Sequence, residues 1–180
     1  IDMEILDLWR RHRFPATIFC PTNIIGEHRV PLDLWGGRNP EFFRLLRQNS
    51  PVTIAPCENI PVQSGYNWDL ASAFVLAIDQ AEAVRGETFI ISSKKAVPLG
   101  RYLARAMEFL GSHSEIRHAA PERIPTIYPG VRLEKSLEFL LQPMCFDIGK
   151  AERILGYRPT HTPLEGLTRA LEWCVANRLF

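Results

Sequence analysis

The apolar run between Pro15 and Pro21 most constrains what this chain can fold into. The centre of the run, Thr-Ile-Phe, favours the β conformation, and proline punctuates both of its ends. Pro21 cannot donate a ladder hydrogen bond, so strand pairing is expected to stop there and the backbone to change direction. The sequence therefore predicts a short buried strand over Ala16–Cys20 whose carboxyl end runs into a polar turn.

The predicted turn presents Thr22 and Asn23, which are short polar side chains. Such side chains either hydrogen-bond a ligand or bond their own backbone and close the turn. Open α/β sheets bind ligands at the carboxyl ends of their strands, which favours the first interpretation. Spacing alone leaves both interpretations open.

The rest of the chain predicts a mixed α and β order in which helices dominate. Apolar periodicity and capping residues predict helices over Ile1–Arg13, from Asn39 through Leu46, over Asp69–Asp79, Pro98–Leu110 and Asp147–Leu155, and from Thr162 to Val175. Apolar β-forming runs predict strands over Val52–Ala55, Glu87–Ser92 and Glu115–His118. Residues 26–38 are expected to form a long loop, and residues 119–143 are broken by prolines, with one helix expected near Leu133–Leu140.

Composition excludes several classes of protein. The chain has 180 residues, of which 46% are hydrophobic, which suits one domain or one domain with part of another. A net charge of +1 gives no overall field that would favour nucleic acid or an anionic membrane. No apolar run reaches the roughly 18 residues of a membrane helix. The cysteines lack metal-type spacing, so reduced thiols and a cytoplasmic location are expected.

The sequence carries none of the common catalytic signatures. We find no G-x-G-x-x-G or G-x-x-x-x-G-K-[ST] phosphate loop, no G-x-S-x-G nucleophile elbow and no H-E-x-x-H zinc motif. The five histidines are scattered without the spacing of metal ligands. From the residues alone, the chain has a candidate binding turn and no candidate catalytic residue or metal ligand.

Three blocks of sequence carry a family resemblance. The first, Phe19–Gly26, reads F-C-P-T-N-I-I-G and is similar to L-R-P-x-N-V-Y-G. The second, Asn67–Ala71, reads N-W-D-L-A and is similar to V-x-D-L-A before a helix; the strand Gly86–Ser92 follows it. The third, Phe146–Pro159, contains F-D-I-G-K-A and L-G-Y-R-P. Together they resemble the C-terminal half of the extended short-chain dehydrogenases/reductases, the NAD-dependent sugar-nucleotide epimerases and dehydratases.

The resemblance implies an α/β fold that contains the last part of a Rossmann-type parallel sheet and a smaller mixed α/β substrate-binding domain. Residues 1–30 would end the dinucleotide-binding domain, and residues 31–180 would form mostly the substrate-binding domain. Residues 60–92 would return a strand and a helix to the main sheet. The implied activity is hydride transfer between a substrate carbon and the nicotinamide of NAD or NADP.

The resemblance also implies roles for particular residues. Pro21 and Thr22 would contact the cofactor, and Asn23 would bind a sugar-nucleotide substrate. Val52, Thr53 and Ile54 would pass under its nucleobase. The catalytic Y-x-x-x-K motif and the Gly-rich loop of the family would precede Ile1, so the resemblance assigns no catalytic residue and no metal ligand to this chain. The missing N-terminal Rossmann part and a second copy, in a homodimer, are the implied protein partners.

Two departures from the family pattern leave the substrate open. Cys20 stands where the family usually has arginine, and Val62 stands near the place of an arginine that binds the diphosphate. The resemblance implies a nucleotide sugar as substrate, and the two departures leave a related alcohol as the other possibility. Gly65–Ala71 is also similar to chloroplast stem-loop RNA-binding relatives of the epimerases. The alternative is therefore a catalytically inactive binding or scaffold protein, for which the near-neutral charge disfavours RNA as partner.

Overall fold

The computed structural model describes the backbone of residues 2–180 and the side chains of residues 3–180. Its helices are α1 (Asp2–His12), α2 (Pro40–Arg47), α3 (Asn67–Asp79), α4 (Ala81–Val84), α5 (Leu99–Leu110), α6 (Ile124–Ile127), α7 (Glu138–Leu140), α8 (Gly149–Ile154) and α9 (Pro163–Ala176). A 3₁₀ turn covers Pro121–Arg123 and a π-helical turn covers Leu133–Leu137. The predicted mixed α/β class is confirmed. Ile1, which we placed in the first helix, lies outside the described residues.

The strands of the described chain form four pairs. β1 (Ile18–Pro21) lies parallel to β6 (Thr88–Ile91), β2 (Asn23–Ile25) to β5 (Ser64–Tyr66), and β3 (Val52–Ile54) to β8 (Ile116–His118). The remaining pair, β4 (Pro61–Val62) with β7 (Val97–Pro98), is antiparallel. β1 and β2 are separated by a single residue but pair with different partners, so the chain passes from one sheet to another at Thr22.

The predicted end of pairing before Pro21 is wrong. In a parallel pair, alternate residues bond to the same neighbour. The Ile18 N–H donates to Glu87 O at 2.9 Å, and the Thr22 N–H donates to Ile91 O at 3.2 Å. Pro21 is an intervening residue whose nitrogen faces away from β6, so its missing N–H costs this pair no bond. The expected polar turn is likewise absent, because Asn23 begins β2.

Local sequence signals place several helix ends correctly. The Asn39 side chain accepts a hydrogen bond from the Glu41 N–H and caps α2, and Gly111 ends α5 in the left-handed conformation, with φ of 63°. Thr162 and Glu165 form the predicted capping box at the start of α9. The predicted helix from Asp147 instead begins at Gly149. The helix expected near Leu133–Leu140 is present as the π-helical turn that continues directly into α7, and two further helical turns lie before it in residues 119–143.

Two hydrophobic clusters form the core. The larger contains residues of α2, α5 and α9 together with Ile25 of β2, and the smaller contains residues of β6, α3 and α8. Phe19 of β1 packs against the smaller cluster. The segment β1–Thr22–β2 therefore joins the two clusters. The assignment of residues 1–30 and 31–180 to different domains stays a prediction.

Within residues 2–180, no helix is long and apolar enough to cross a membrane.

Candidate functional site

A cleft of about 340 Å³ opens where β1 passes into β2. Four consecutive residues, Cys20, Pro21, Thr22 and Asn23, line it together with Ile90, Phe139, Met144 and Phe146. The cleft thus brings together Pro21, Thr22 and Asn23, three of the residues that the sequence singled out. It lies at the carboxyl end of the parallel strand β1, the position at which α/β sheets bind ligands.

The Thr22 hydroxyl is held by a buried serine. Thr22 Oγ1 makes a short hydrogen bond with Ser92 Oγ, and Ser92 Oγ donates to the backbone oxygen of Gln63 at 3.4 Å. Either hydroxyl can be the donor of the short bond, and in both cases the Thr22 oxygen keeps at least one lone pair. That lone pair can accept a hydrogen bond from a molecule in the cleft.

The Asn23 side chain is held from both ends. Its Nδ2 donates to Ser64 Oγ at 2.8 Å, and its Oδ1 accepts from Arg38 Nη2 at 2.9 Å. Arg38 also donates to the backbone oxygens of Ile24, at 2.7 Å, and Val30, at 2.8 Å. A primary amide has two donor and two acceptor sites, so these contacts leave Asn23 one of each to offer to a ligand.

Arg38 is placed by a loop that is built around a buried carboxylate. Asp33 is fully buried and accepts backbone N–H bonds from Trp35 at 2.7 Å, Gly37 at 3.1 Å and Asn39 at 2.6 Å. Burial raises the pKa of Asp33, while the three N–H donors and the Arg38 charge act in the opposite direction. The 26–38 segment, which the sequence predicted only as a long loop, is therefore an ordered support for the cleft.

The other predicted binding residues lie away from the cleft. Val52 and Ile54 are fully buried in the larger hydrophobic cluster. The backbone of Thr53 is occupied by the side chains of two aromatic residues: its N–H donates to the Tyr128 hydroxyl at 2.9 Å, and its oxygen accepts from Trp35 Nε1 at 3.0 Å. Their role under a nucleobase stays a prediction.

Sequence reasoning missed several residues that shape the cleft. Phe146 belongs to the third block, where it indicates only the family resemblance, and the sequence around Met144 gives no indication of a binding role. Phe139 lies in the helix expected near Leu133–Leu140, and an apolar residue in a helix gives no signal of a binding role. Arg38 is separated from Asn23 by a loop without periodicity, so no local pattern could have joined them.

A second polar network explains the aspartate of the N-W-D-L-A block. Asp69 Oδ2 accepts the backbone N–H groups of Thr160, at 3.0 Å, and His161, at 2.8 Å. The Tyr66 ring lies against the His161 ring, and the Tyr66 hydroxyl donates to Glu27. Burial and then Glu27 raise the pKa of Tyr66 to about 12. The network joins the start of α3 to the segment before α9 and lies outside the cleft lining.

Within the described chain, no group of three or more histidine, cysteine, aspartate or glutamate residues is arranged to hold a metal ion.

The fold that carries this cleft is that of the C-terminal half of NAD-dependent epimerases and dehydratases of the extended short-chain dehydrogenase/reductase superfamily, which confirms the resemblance. A UDP-glucose 4-epimerase from Thermotoga maritima, solved with UDP-glucose, matches with a TM-score of 0.73 and 19% identity over 98% of this chain and 51% of its own. A dTDP-glucose 4,6-dehydratase from Bacillus anthracis, solved with NAD, matches with a TM-score of 0.74 and 14% identity over 98% of this chain and 50% of its own.

A curated relative adds a distant similarity in sequence. The chloroplast stem-loop binding protein of 41 kDa b from Arabidopsis thaliana is 30% identical over 157 residues, which are 86% of this chain and 36% of the relative. No family model matches the chain. The chain therefore spans about a third of this relative and about half of the solved structures that it resembles.

Proposed function

We propose that this chain is the substrate-binding portion of an NAD(P)-dependent epimerase, dehydratase or reductase that acts on a sugar nucleotide or a related alcohol. The observation that supports this proposal is the cleft at the carboxyl end of β1, lined by Pro21, Thr22 and Asn23. Its volume of about 340 Å³ is in the range of small-molecule sites.

In this proposal the two sides of the β1–β2 junction have different tasks. Pro21 and Thr22 contact the nicotinamide end of NAD or NADP. Asn23 binds the substrate through the amide donor and acceptor that Ser64 and Arg38 leave unused. Val52, Thr53 and Ile54 pass under the nucleobase of that substrate, and Thr53 O also holds Trp35 of the Asp33 loop.

The cofactor, when bound, accepts or returns a hydride. The chain's own residues bind and orient the cofactor and the substrate. The Tyr and Lys of a preceding Rossmann part serve as the acid–base groups.

An exposed apolar face supports docking of that part beside β1. Phe74 is 47% exposed and Ile78 is 75% exposed, and both line a groove with Phe19 of β1. Pairing of two copies through helices of the larger domain is the corresponding proposal for oligomeric state.

The coding sequence that precedes Ile1 tests this proposal first. We expect it to encode a Gly-rich nucleotide loop and a Y-x-x-x-K motif whose lysine directly precedes Ile1. Absence of both would refute the enzymatic proposal.

Kinetics of the longer protein give the second test. Thr22→Val removes the hydroxyl while keeping the shape, and we expect kcat/KM for nicotinamide reduction to fall roughly tenfold, the value of one hydrogen bond. Thr126→Val, at an exposed position of α6, is the matched control and should leave kcat/KM unchanged. Equal rates for the two variants would contradict the role given to Thr22.

The second candidate function is stem-loop RNA binding without catalysis. One observation favours it: the curated relative is named as a stem-loop binding protein. Phosphate contacts make such binding weaken steeply with salt. Filter binding of a stem-loop RNA at low and at moderate salt separates the two proposals. If the protein retains no RNA on the filter, or retains the same amount at both salt concentrations, the RNA-binding proposal is wrong.

The cytoplasmic location remains a proposal. The name of the relative places that protein in the chloroplast, so fluorescence localisation of a tagged full-length protein is the direct test.

A further inference from the structure

We infer that the substrate moiety held in the cleft is a neutral, apolar or aromatic compound that carries a hydroxyl group, rather than a nucleoside diphosphate sugar; this inference rests on the proposed function. It is carried by three observations on the cleft: the absence of charge, the exposed phenylalanines and the acceptor oxygen of Thr22.

No charged side chain lines the cleft among the described residues. A diphosphate in a protein site is ordinarily met by arginine or lysine, with arginine giving bidentate, charge-assisted hydrogen bonds. Arg38 contacts the cleft lining through Asn23, and its guanidinium also donates to the backbone oxygens of Ile24 and Val30. Three of the five N–H donors of Arg38 thus point to protein oxygens, and Arg38 itself does not line the cleft.

The cleft instead presents apolar surface to a ligand. Phe139 is 59% exposed and Phe146 is 42% exposed, although both line a concave site. Large apolar side chains left in solvent within a cleft are typical of ligand-binding surfaces. Met144 and Ile90 continue this apolar lining, and the flexible thioether of methionine adapts to ligands of irregular shape.

The polar groups of the cleft select for a hydroxyl. Whichever hydroxyl donates in the pair with Ser92, the Thr22 oxygen keeps a lone pair that can accept a hydrogen bond. Asn23 offers one donor and one acceptor beyond its contacts with Ser64 and Arg38. An alcohol meets both groups, because its proton satisfies Thr22 and its oxygen accepts from Asn23.

Protection of Cys20 from alkylation tests the inference on this chain. Cys20 lines the cleft, Cys145 is exposed, and Cys57 and Cys174 are buried. In a Cys145→Ser background, iodoacetamide labelling of Cys20 is followed by peptide mass spectrometry with cinnamyl alcohol or with UDP-glucose present. We expect cinnamyl alcohol to slow labelling about fivefold at roughly four times its Kd, and UDP-glucose at the same concentration to have no effect.

Two variants and one control test whether the compound that protects Cys20 binds in the cleft. Phe139→Ala and Phe146→Ala should abolish protection by cinnamyl alcohol while the circular dichroism spectrum stays unchanged. Val75→Ala removes a side chain that is 59% exposed on α3, outside the cleft lining, and should keep full protection. Amide NMR shifts of Thr22 and Asn23 on titration with each compound report binding independently of the thiol.

The outcomes separate this inference from the proposed function. Protection by UDP-glucose, or NMR shifts at Thr22 and Asn23 with UDP-glucose and none with cinnamyl alcohol, overturns the inference and leaves the proposed function intact. Absence of any effect by either compound in both measurements also overturns it. Failure of the proposed function shows elsewhere, in the missing upstream motifs.

Discussion

The guanidinium of Arg38 donates a hydrogen bond to the side-chain oxygen of Asn23 at 2.9 Å, across fifteen residues of chain. The same nitrogen of Arg38 donates to the backbone oxygen of Ile24 at 2.7 Å. A loop without regular secondary structure is thereby fastened to the first residues of β2. The orientation of the Asn23 amide in the cleft is consequently set by that loop.

Replacing Arg38 by methionine should destabilise the chain and loosen the cleft. The variant keeps much of the aliphatic stem but leaves the oxygens of Asn23, Ile24 and Val30 without their donor. We expect the free energy of unfolding to fall by about 3 kcal/mol, since each lost bond of this kind is worth on the order of 1 kcal/mol. Urea denaturation measures the change. Arg132→Met, at an exposed position, is the control and should be nearly neutral; an equal effect of the two variants would contradict the assigned role.

Asp33→Ala should be more damaging than Asp33→Asn. Alanine leaves the buried N–H group of Trp35 and the partly buried N–H groups of Gly37 and Asn39 without their acceptor. Unsatisfied buried donors cost on the order of 1–3 kcal/mol each, so we expect a loss of about 4 kcal/mol. Asparagine keeps one oxygen for Trp35 and Gly37 and should lose about half of that. Thermal unfolding followed by circular dichroism ranks the variants, and equal losses would mean that burial of the side chain, not its hydrogen bonding, stabilises the loop.

Stability should decline in alkaline solution because of two buried thiols. Burial raises the pKa of Cys57 to about 12, with Glu58 acting in the same direction, and burial raises the pKa of Cys174 to about 11. Above pH 9.0, the ordinary thiol pKa, the unfolded chain loses these protons before the folded chain does. The stabilising contribution is therefore complete below that pH and is lost as pH rises toward the folded values, by roughly 1.4 kcal/mol per pH unit for each thiol.

Urea denaturation between about pH 8 and pH 9.5, where tyrosines with their ordinary pKa of about 10 are still mostly protonated, measures this slope. Cys57→Ala and Cys174→Ala should each flatten it, although both variants are less stable overall because they leave small cavities. The exposed Cys145 provides the control, and Cys145→Ser should leave the slope unchanged. A slope that survives the loss of both buried thiols would show that other groups cause it.

Thr162→Ala should weaken α9 by about 1 kcal/mol. In the capping box, Thr162 Oγ1 accepts from the Glu165 N–H at 3.2 Å while Glu165 accepts from the Thr162 N–H at 2.7 Å. The same box, with help from His161, holds the pKa of Glu165 below its usual range. Thermal denaturation measures the loss. Thr162→Ser, which keeps the acceptor, should retain most of the stability, and a serine variant as unstable as alanine would argue against capping.

The sequence predicts the features of this fold whose causes are local. Asn39, Gly111 and Thr162 mark helix ends through backbone hydrogen bonds that need only neighbouring residues, and the structure confirms all three. β2 is not predictable in this way, because a strand of three residues is too short to show a period. The end of β1 is predicted wrongly, because the sequence does not show which side of β1 pairs with β6 and therefore whether the nitrogen of Pro21 is needed.

The candidate site was predictable only in part for the same reason. Thr22 and Asn23 follow directly from the strand before them. Their partners Ser92 and Arg38 lie at sequence separations of 70 and 15 residues. Long-range contacts of this kind are fixed by packing rather than by propensity, so the apolar lining and the absence of charge emerge only from the folded chain.

The change of strand partner at Thr22 couples the interior of the molecule to its ligand geometry. The smaller hydrophobic cluster holds β1 through Phe19, and the larger holds β2 through Ile25. Ile24 of β2 also packs against the smaller cluster, so both clusters contact the short segment that carries Thr22 and Asn23. Under the proposed function, a substitution in either cluster would shift Thr22 and Asn23 and so change ligand selectivity without altering any residue that lines the cleft.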